Sequence, residues 1–190
     1  MLQMIDLCSG LGGASQAMKD RGWNIITLDN NNRFNPDICL DVRKIPYMKL
    51  PFDLIWASPP CTEFARAWLP WIKTDKEPDM SIAKACLRII QTMQPRYWII
   101  ENVQGAVKYF EPLLGKPMAI YKPYFLWGHF PPLGDIKITK QKKESYSSTQ
   151  QAERAKIPYE LSLAVALAIK NNWTLFEYPR PIFDLEGCAA

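Results

Sequence analysis

Two short runs constrain the fold of this 190-residue chain more than any other feature. Residues 52–57 (FDLIWA, apolar but for Asp53) and 97–100 (YWII) carry apolar residues on both faces, and each delivers a polar group at its end, Ser58 after the first and Glu101 after the second. A strand that is apolar on both faces belongs inside a sheet covered by helices on either side, and such sheets are parallel. Around these runs the period alternates. Residues 2–7 read as a strand, SGLGG as a turn and 14–21 as a helix ending at Gly22. Residues 23–28 form a second strand ending in Asp29, and the polar loop NNNRFNP leads to a third short strand at 37–42. Between the two apolar runs, Ile82, Ala85, Cys86, Ile89, Ile90 and Met93 recur at helical spacing over 81–93.

Strand and helix therefore alternate through the first hundred residues, which predicts one α/β domain over residues 1–190, Rossmann-like, with a mostly parallel doubly wound sheet. Beyond Gln104 the pattern loosens to a short helix near 105–110 and strand-like stretches at 116–121 and 124–127. A closing helix is expected over 158–170, with Pro158 in its first turn and a broad apolar stripe. At 48% hydrophobic and 22% charged residues, a disordered tail and a fibrous repeat are excluded. Five cysteines with no C-x-x-C spacing, and one histidine, His129, argue against a disulfide scaffold, a zinc ribbon or any bound metal. No apolar run approaches the roughly 20 residues that span a bilayer, and the N-terminus lacks a basic leader, so the expectation is a reduced, cytoplasmic protein without a membrane partner.

The net charge of +4 is concentrated in residues 137–156, where Lys137, Lys140, Lys142, Lys143, Arg154 and Lys156 face only Glu144 and Glu153. Such a segment is either a solvated lysine loop or a phosphate-contacting patch. The other unusual residues fall at the carboxyl ends of strands, where open α/β sheets bind ligands. Glycines directly after the first strand, in DLCSGLGG, let backbone approach a ligand closely and offer a helix start to negative charge. Their G-x-G-G spacing differs from the G-x-G-x-x-G of dinucleotide binders. Asp29 is placed to accept from both hydroxyls of a ribose, or is a turn aspartate. Asp41 is placed to accept from an adenine amine while Val42 packs on the ring, or it caps a turn. Cys61, stiffened by Pro59 and Pro60, is a nucleophile if its surroundings supply thiolate character, or a structural cysteine. Glu101, at the end of an apolar strand, is expected to have a raised pKa and to hold a proton, with Asn102 beside it to orient it.

Taken in order, DLCSGLGG, the acid in TLDNN, LDV, ASPPC and IENV resemble the cytosine carbon-5 DNA methyltransferases, and ERAKIPYELSLAVALAI resembles the closing helix of short, phage-type members. The resemblance covers about residues 1–110 and 150–172. It implies S-adenosylmethionine as cofactor, with Asp6, Cys8, Gly10 and Gly12 along it, Asp29 and Asn30 at its ribose, Asp41 and Val42 at its adenine, and Pro60 against the transferable methyl. It implies a catalytic set of Cys61, Glu101 and Asn102: the Cys61 thiolate adds to carbon 6 of a flipped-out cytosine, Glu101 bonds nitrogen 3 and the amine, and carbon 5 takes the methyl. The sequence departs from the family in four places. Cys8 stands where a phenylalanine is usual and Thr62 where glutamine is usual. The arginine-rich motif is missing, leaving Lys122 as the cation for the cytosine carbonyl, and the last motif lacks its Gln-x-Gly-Asn. The 56 residues between Glu101 and Pro158 are too few for a full target-recognition domain, so readout of DNA is expected to be short, weak or supplied by a specificity partner or second copy. Arg66, with Trp68 and Trp71, and Lys140, Lys142 and Lys143 are the expected DNA contacts. Three alternatives stand beside this reading: the same chemistry on RNA, methylation of a base amino group suggested by SPPC, and a non-catalytic cofactor- or DNA-binding homologue with no use for the Cys61 thiol. Protection of a phage genome from restriction is the role the likeness suggests.

Overall fold

A computed structural model describes residues 1–46, 50–65, 77–139, 153 and 155–173, with the side chain of Trp173 outside that description. Its centre is a seven-stranded sheet in the order β3-β2-β1-β4-β5-β7-β6. The strands are β1 (Gln3–Leu7), β2 (Asn24–Asp29), β3 (Ile38–Cys39), β4 (Leu54–Ala57), β5 (Tyr97–Asn102), β6 (Ala119–Tyr121) and β7 (Tyr124–His129). The first five are mutually parallel; β7 runs antiparallel to both β5 and β6. Strand order reverses between β1 and β4, so the loops leaving their carboxyl ends diverge and open a crevice.

The two apolar runs occupy the middle of the sheet. Every residue of β4 and β5 is buried, and alternate residues feed opposite layers. Ile55, Ala57, Trp98 and Ile100 pack with Ala85, Cys86, Ile89, Ile90 and Met93 of α3 (Ser81–Met93) and Phe110 of α4 (Val107–Leu114). Leu54, Trp56, Tyr97 and Ile99 pack with Ala14, Met18, Leu161, Val165 and Ile169, from around α1 (Gln16–Lys19) and from α5 (Tyr159–Trp173). The two helices of the second layer are also tied by two hydrogen bonds: the Ser162 hydroxyl donates to Ala14 O at 2.6 Å and accepts from Ala17 N at 3.1 Å. Among the described residues, no helix is long and apolar enough to cross a membrane.

The third strand, expected over 37–42, is shortened to Ile38–Cys39, and the connections on either side of it are loops over their described residues, as the polar run before it implies. Among the described residues, those connections carry only 3₁₀ turns, Asn32–Phe34 and Val42–Lys44. Asn31 and Asp41 each accept the amide two residues on, and Asn35 turns left-handed at φ 52°, so local side-chain bonds take the place of a helix. The helix expected over 14–21 is shortened to Gln16–Lys19, because the turn leaving β1 consumes its start. The segment around 124–127 is longer than expected, pairing through His129 as the inner strand of a hairpin.

Asp6 is the exception within this core. It lies on β1 between Thr27 and Trp56, is 0% exposed, and neither carboxyl oxygen meets a hydrogen-bond partner in good geometry, although Ser15 lies close enough to favour its charge. Burial lifts its pKa to about 7, with Ser15 opposing and Asp29 adding repulsion. A carboxyl raised in this way contributes stability that is complete below its ordinary pKa of 3.8 and is lost as pH climbs through about 7. In Asp6→Asn this dependence disappears. The unfolding free energy of wild type, relative to the variant, is expected to fall by on the order of 4 kcal/mol across that window and then level off. Urea midpoints across a pH series measure it, and parallel profiles for the two proteins would refute it.

Candidate active site

At the reversal point the carboxyl ends of β1, β2, β4 and β5 surround a cavity of about 520 Å³, closed on its far side by Pro123 and Tyr124 from the hairpin and by residues 155–157 before α5. That is a volume typical of small-molecule sites. The loop leaving β1 forms its floor. Ser9 N bonds Leu28 O and Gly12 N bonds Ser9 O, a tight turn that requires Gly10 and Gly12 at φ 50° and 68°. Gly13 makes a close approach instead: a Cβ there would lie 2.5 Å from Ile157 O and 2.7 Å from Lys156 Cγ, so only glycine lets the segment before α5 lie against this loop.

Asp29 anchors the same loop. One carboxyl oxygen accepts from Gly10 N at 2.9 Å and the other from Asn31 N at 2.8 Å, and the residue lines the cavity at 8% exposure. A carboxylate has about four acceptor positions, so it retains capacity for a pair of ligand hydroxyls. Asn30 and Val42 also line the cavity, and Phe34, Leu40 and Ile82 add apolar wall that could take a flat ring. Cys8 lines it too, its thiol pushed well up by contact with the Cys86 thiol and by burial.

Across the cavity, Cys61 starts α2, which is described over Thr62–Ala65, and its carbonyl accepts from Phe64 and Ala65. Glu101 stands at the end of the neighbouring β5. Burial lifts the Glu101 pKa to about 7, against a hydrogen bond from Ser58 that favours the charged form. Ser58 in turn accepts from Trp56 Nε1 at 3.1 Å. The Cys61 thiol is pushed up by burial first and by the Glu101 charge second, its own amide opposing. Among the described residues no cation is among the causes that offset these effects. Tyr124 completes the group, its hydroxyl pushed up to about 12 by burial, Glu101 and Glu160.

Several predicted residues fall elsewhere. Asn102 was expected to orient Glu101, but strand alternation turns its amide away: Nδ2 donates to Pro59 O at 2.9 Å and Oδ1 accepts from Val103 N at 2.9 Å. Asn102 is thus a strut under the Pro59-Pro60-Cys61 turn, and Ser58 is what holds Glu101. Asp41 lines the cavity and also caps the Val42–Lys44 turn, with both its oxygens engaged by Arg43, the shortest contact 2.6 Å. Asp6 and Gly12 lie beneath the cavity and do not line it, while Pro60 does. Lys122 is exposed at the hairpin turn and does not reach the lining; Lys156, Tyr124 and Ser58 do, unassigned by the sequence. Arg66, Trp68, Trp71, Lys140, Lys142 and Lys143 lie outside the described residues.

Residues 2–111 match the family model described as C-5 cytosine-specific DNA methylase. The chain is similar to a "Probable DNA (cytosine-5)-methyltransferase" of Frog virus 3 (isolate Goorha), 28% identical over 145 residues, covering 67% of this chain and 66% of that one. It is also similar to "Type II methyltransferase M.SacI" of Streptomyces achromogenes, 30% identical over 90 residues, covering 42% of this chain and 23% of that one. The chain thus spans less than two thirds of the length of these curated relatives. Among solved structures, a mutant of Spodoptera frugiperda DNMT2 is 23% identical with a TM-score of 0.41, covering 55% of this chain and 36% of that one.

Two outcomes are expected of the site. Alkylation of Cys61 by iodoacetamide, followed on its own peptide by mass spectrometry, should have a midpoint above the ordinary 9.0 and move to lower pH in Glu101→Gln; an unmoved midpoint would separate the two groups. Asn102→Ala leaves the Pro59 carbonyl and Val103 amide unpaired and is expected to cost about 2 kcal/mol in a urea melt.

Proposed function

The chain belongs to the C-5 cytosine-specific DNA methylase family, with 2–111 as the matching residues, and from that premise we propose that it methylates carbon 5 of cytosine in DNA, using S-adenosylmethionine. The observation that carries the proposal is the pairing of the Cys61 thiol with a carboxyl, Glu101, whose pKa of about 7 lets it hold a proton at neutral pH. That pairing suits attack on a polar heterocycle and has no use in a binding subunit.

The fit of the cofactor rests on the cavity. The spare acceptor capacity of Asp29 suits a ribose, and the apolar wall of Phe34, Leu40, Val42 and Ile82 suits a base, Phe34 bringing a ring to a site where Cys8 brings none. The backbone of the glycine loop suits the remainder. When bound, the cofactor supplies an electrophilic methyl group.

In the proposed reaction, the Cys61 sulfur forms a bond to carbon 6 of a cytosine taken out of the stack as its proton passes to water. Glu101 donates its proton to nitrogen 3, so the ring's electrons collect at carbon 5 without a full negative charge. Ser58 keeps the carboxyl aimed, and Asn102 holds the turn that presents the thiol. After methyl transfer the carbon-5 proton passes to water, the carbon–sulfur bond breaks to release the Cys61 thiolate, and nitrogen 3 returns its proton to Glu101, which restores the ring. We propose a single catalytic domain for residues 1–190, with α4, the hairpin and the basic stretch filling the interval from Glu101 to Pro158; target choice then falls to short segments or to a specificity partner or second copy.

The test is incubation of the full chain with tritiated S-adenosylmethionine and, separately, double-stranded DNA, single-stranded DNA and tRNA, followed by digestion to nucleosides. Label is expected in 5-methyl-deoxycytidine and is expected to fall to background in Cys61→Ser. DNA carrying 5-fluorocytosine should give a covalent protein complex, since fluorine cannot leave as the proton does. Label in an amino-methylated base that survives Cys61→Ser, label in tRNA alone, or no label on any substrate would each overturn the reading.

A further inference from the structure

Lys156 is the one basic residue among the described residues that line the cavity, where Asp29, Asp41 and Glu101 are the acids. It is half-buried in the segment that leads into α5, and its stem lies on the glycine loop, within 2.7 Å of where a Cβ on Gly13 would be. Among the described residues no carboxylate lies within ion-pair distance of its ammonium, the ion pair they form being that of Arg43 with Asp41. The charges that bear on the reacting end of the cavity are those of Glu101 and Glu160, acting on Cys61 and Tyr124; Lys156 is not among them. Its stem lies instead on the glycine loop, the floor of the cavity.

The loop itself gives the direction. Asp29 holds Gly10, and Lys156 lies over Gly13, so the floor runs from an acidic end suited to a diol to a cationic end suited to an anion. A cofactor with its ribose at Asp29 and its base toward Val42 has only its amino-acid portion left to lay over residues 11–14, and that portion ends in a carboxylate. We propose that Lys156 is the counter-ion of this carboxylate and so selects cofactors that retain their amino-acid tail. The inference rests on the cofactor assignment made above. It places a charge-assisted contact on a segment where the family's usual Gln-x-Gly-Asn is absent.

The test uses the full chain without nucleic acid and reads binding by calorimetry with two probes, S-adenosylhomocysteine and 5′-methylthioadenosine, which share a nucleoside and differ in the amino-acid tail. Lys156→Met keeps the stem and removes the charge. It is expected to weaken S-adenosylhomocysteine about tenfold or more while leaving 5′-methylthioadenosine within about twofold, and Lys156→Arg is expected to retain most of the difference. Equal weakening of both probes would make Lys156 a packing residue and overturn the proposal. Unchanged S-adenosylhomocysteine affinity, with weakened binding of a DNA duplex in a separate titration, would assign the ammonium to a phosphate and overturn it equally. Wild-type protein that binds neither probe would overturn the cofactor assignment, and this inference with it; wild-type protein that binds both, with a ratio unmoved by Lys156→Met, would overturn this inference alone.

Discussion

Because Leu54–Ala57 and Tyr97–Asn102 are covered on both faces, the first polar groups they deliver emerge without water until the cavity opens. A carboxyl in that position cannot ionise at its ordinary pKa, since burial penalises the charge far more than the neutral acid. The sheet also fixes where the groups go. The Trp56 indole bonds Ser58, Ser58 bonds Glu101, and Asn102 bonds Pro59, so the ends of β4 and β5 are stitched across the gap through which the thiol is presented. Position and protonation state are two results of one burial.

The same burial acts in opposite senses on the two groups. It helps Glu101 to keep a proton and makes Cys61 reluctant to lose one, and an ionised Glu101 makes the thiol more reluctant still. Each unit of upward shift on a thiol corresponds to about 1.4 kcal/mol against the thiolate. No described cation relieves this, so in the proposed chemistry thiol deprotonation belongs to the attack itself, and a protonated Glu101 favours both halves of the step. The acid that activates the ring is also the group whose neutrality spares the nucleophile.

Much of this was legible in the sequence because it depends on short-range pattern. The doubly apolar runs gave the inner strands, the helical spacing of Ile82 through Met93 gave α3 over its full observed length, and the polar residues closing each strand located the site. What escaped depends on geometry that pattern does not encode. Arg43 was visible two residues from Asp41, but only a folded turn shows that it takes up both oxygens. Asn102 was adjacent to Glu101 in sequence and for that reason points away from it. Lys122 was named because it stands where the arginine-rich motif is usual, and Lys156 only as one charge of the basic segment; the signal for Lys156 was Gly13, a third glycine with no turn to make.

That glycine explains how a residue so late in the chain enters a site begun by the first loop. α5 is held to α1 by its apolar stripe and by the Ser162 hydroxyl, which bonds both Ala14 and Ala17. With the helices so joined, the residues just before α5 must cross the loop just before α1, and the absence of a Cβ at Gly13 sets how closely they can do so. The cavity wall at this point is therefore the helix pair's own packing contact. α5 closes the second layer of the core, and in doing so it delivers Lys156 to a cavity whose other charged groups, among the described residues, are carboxylates.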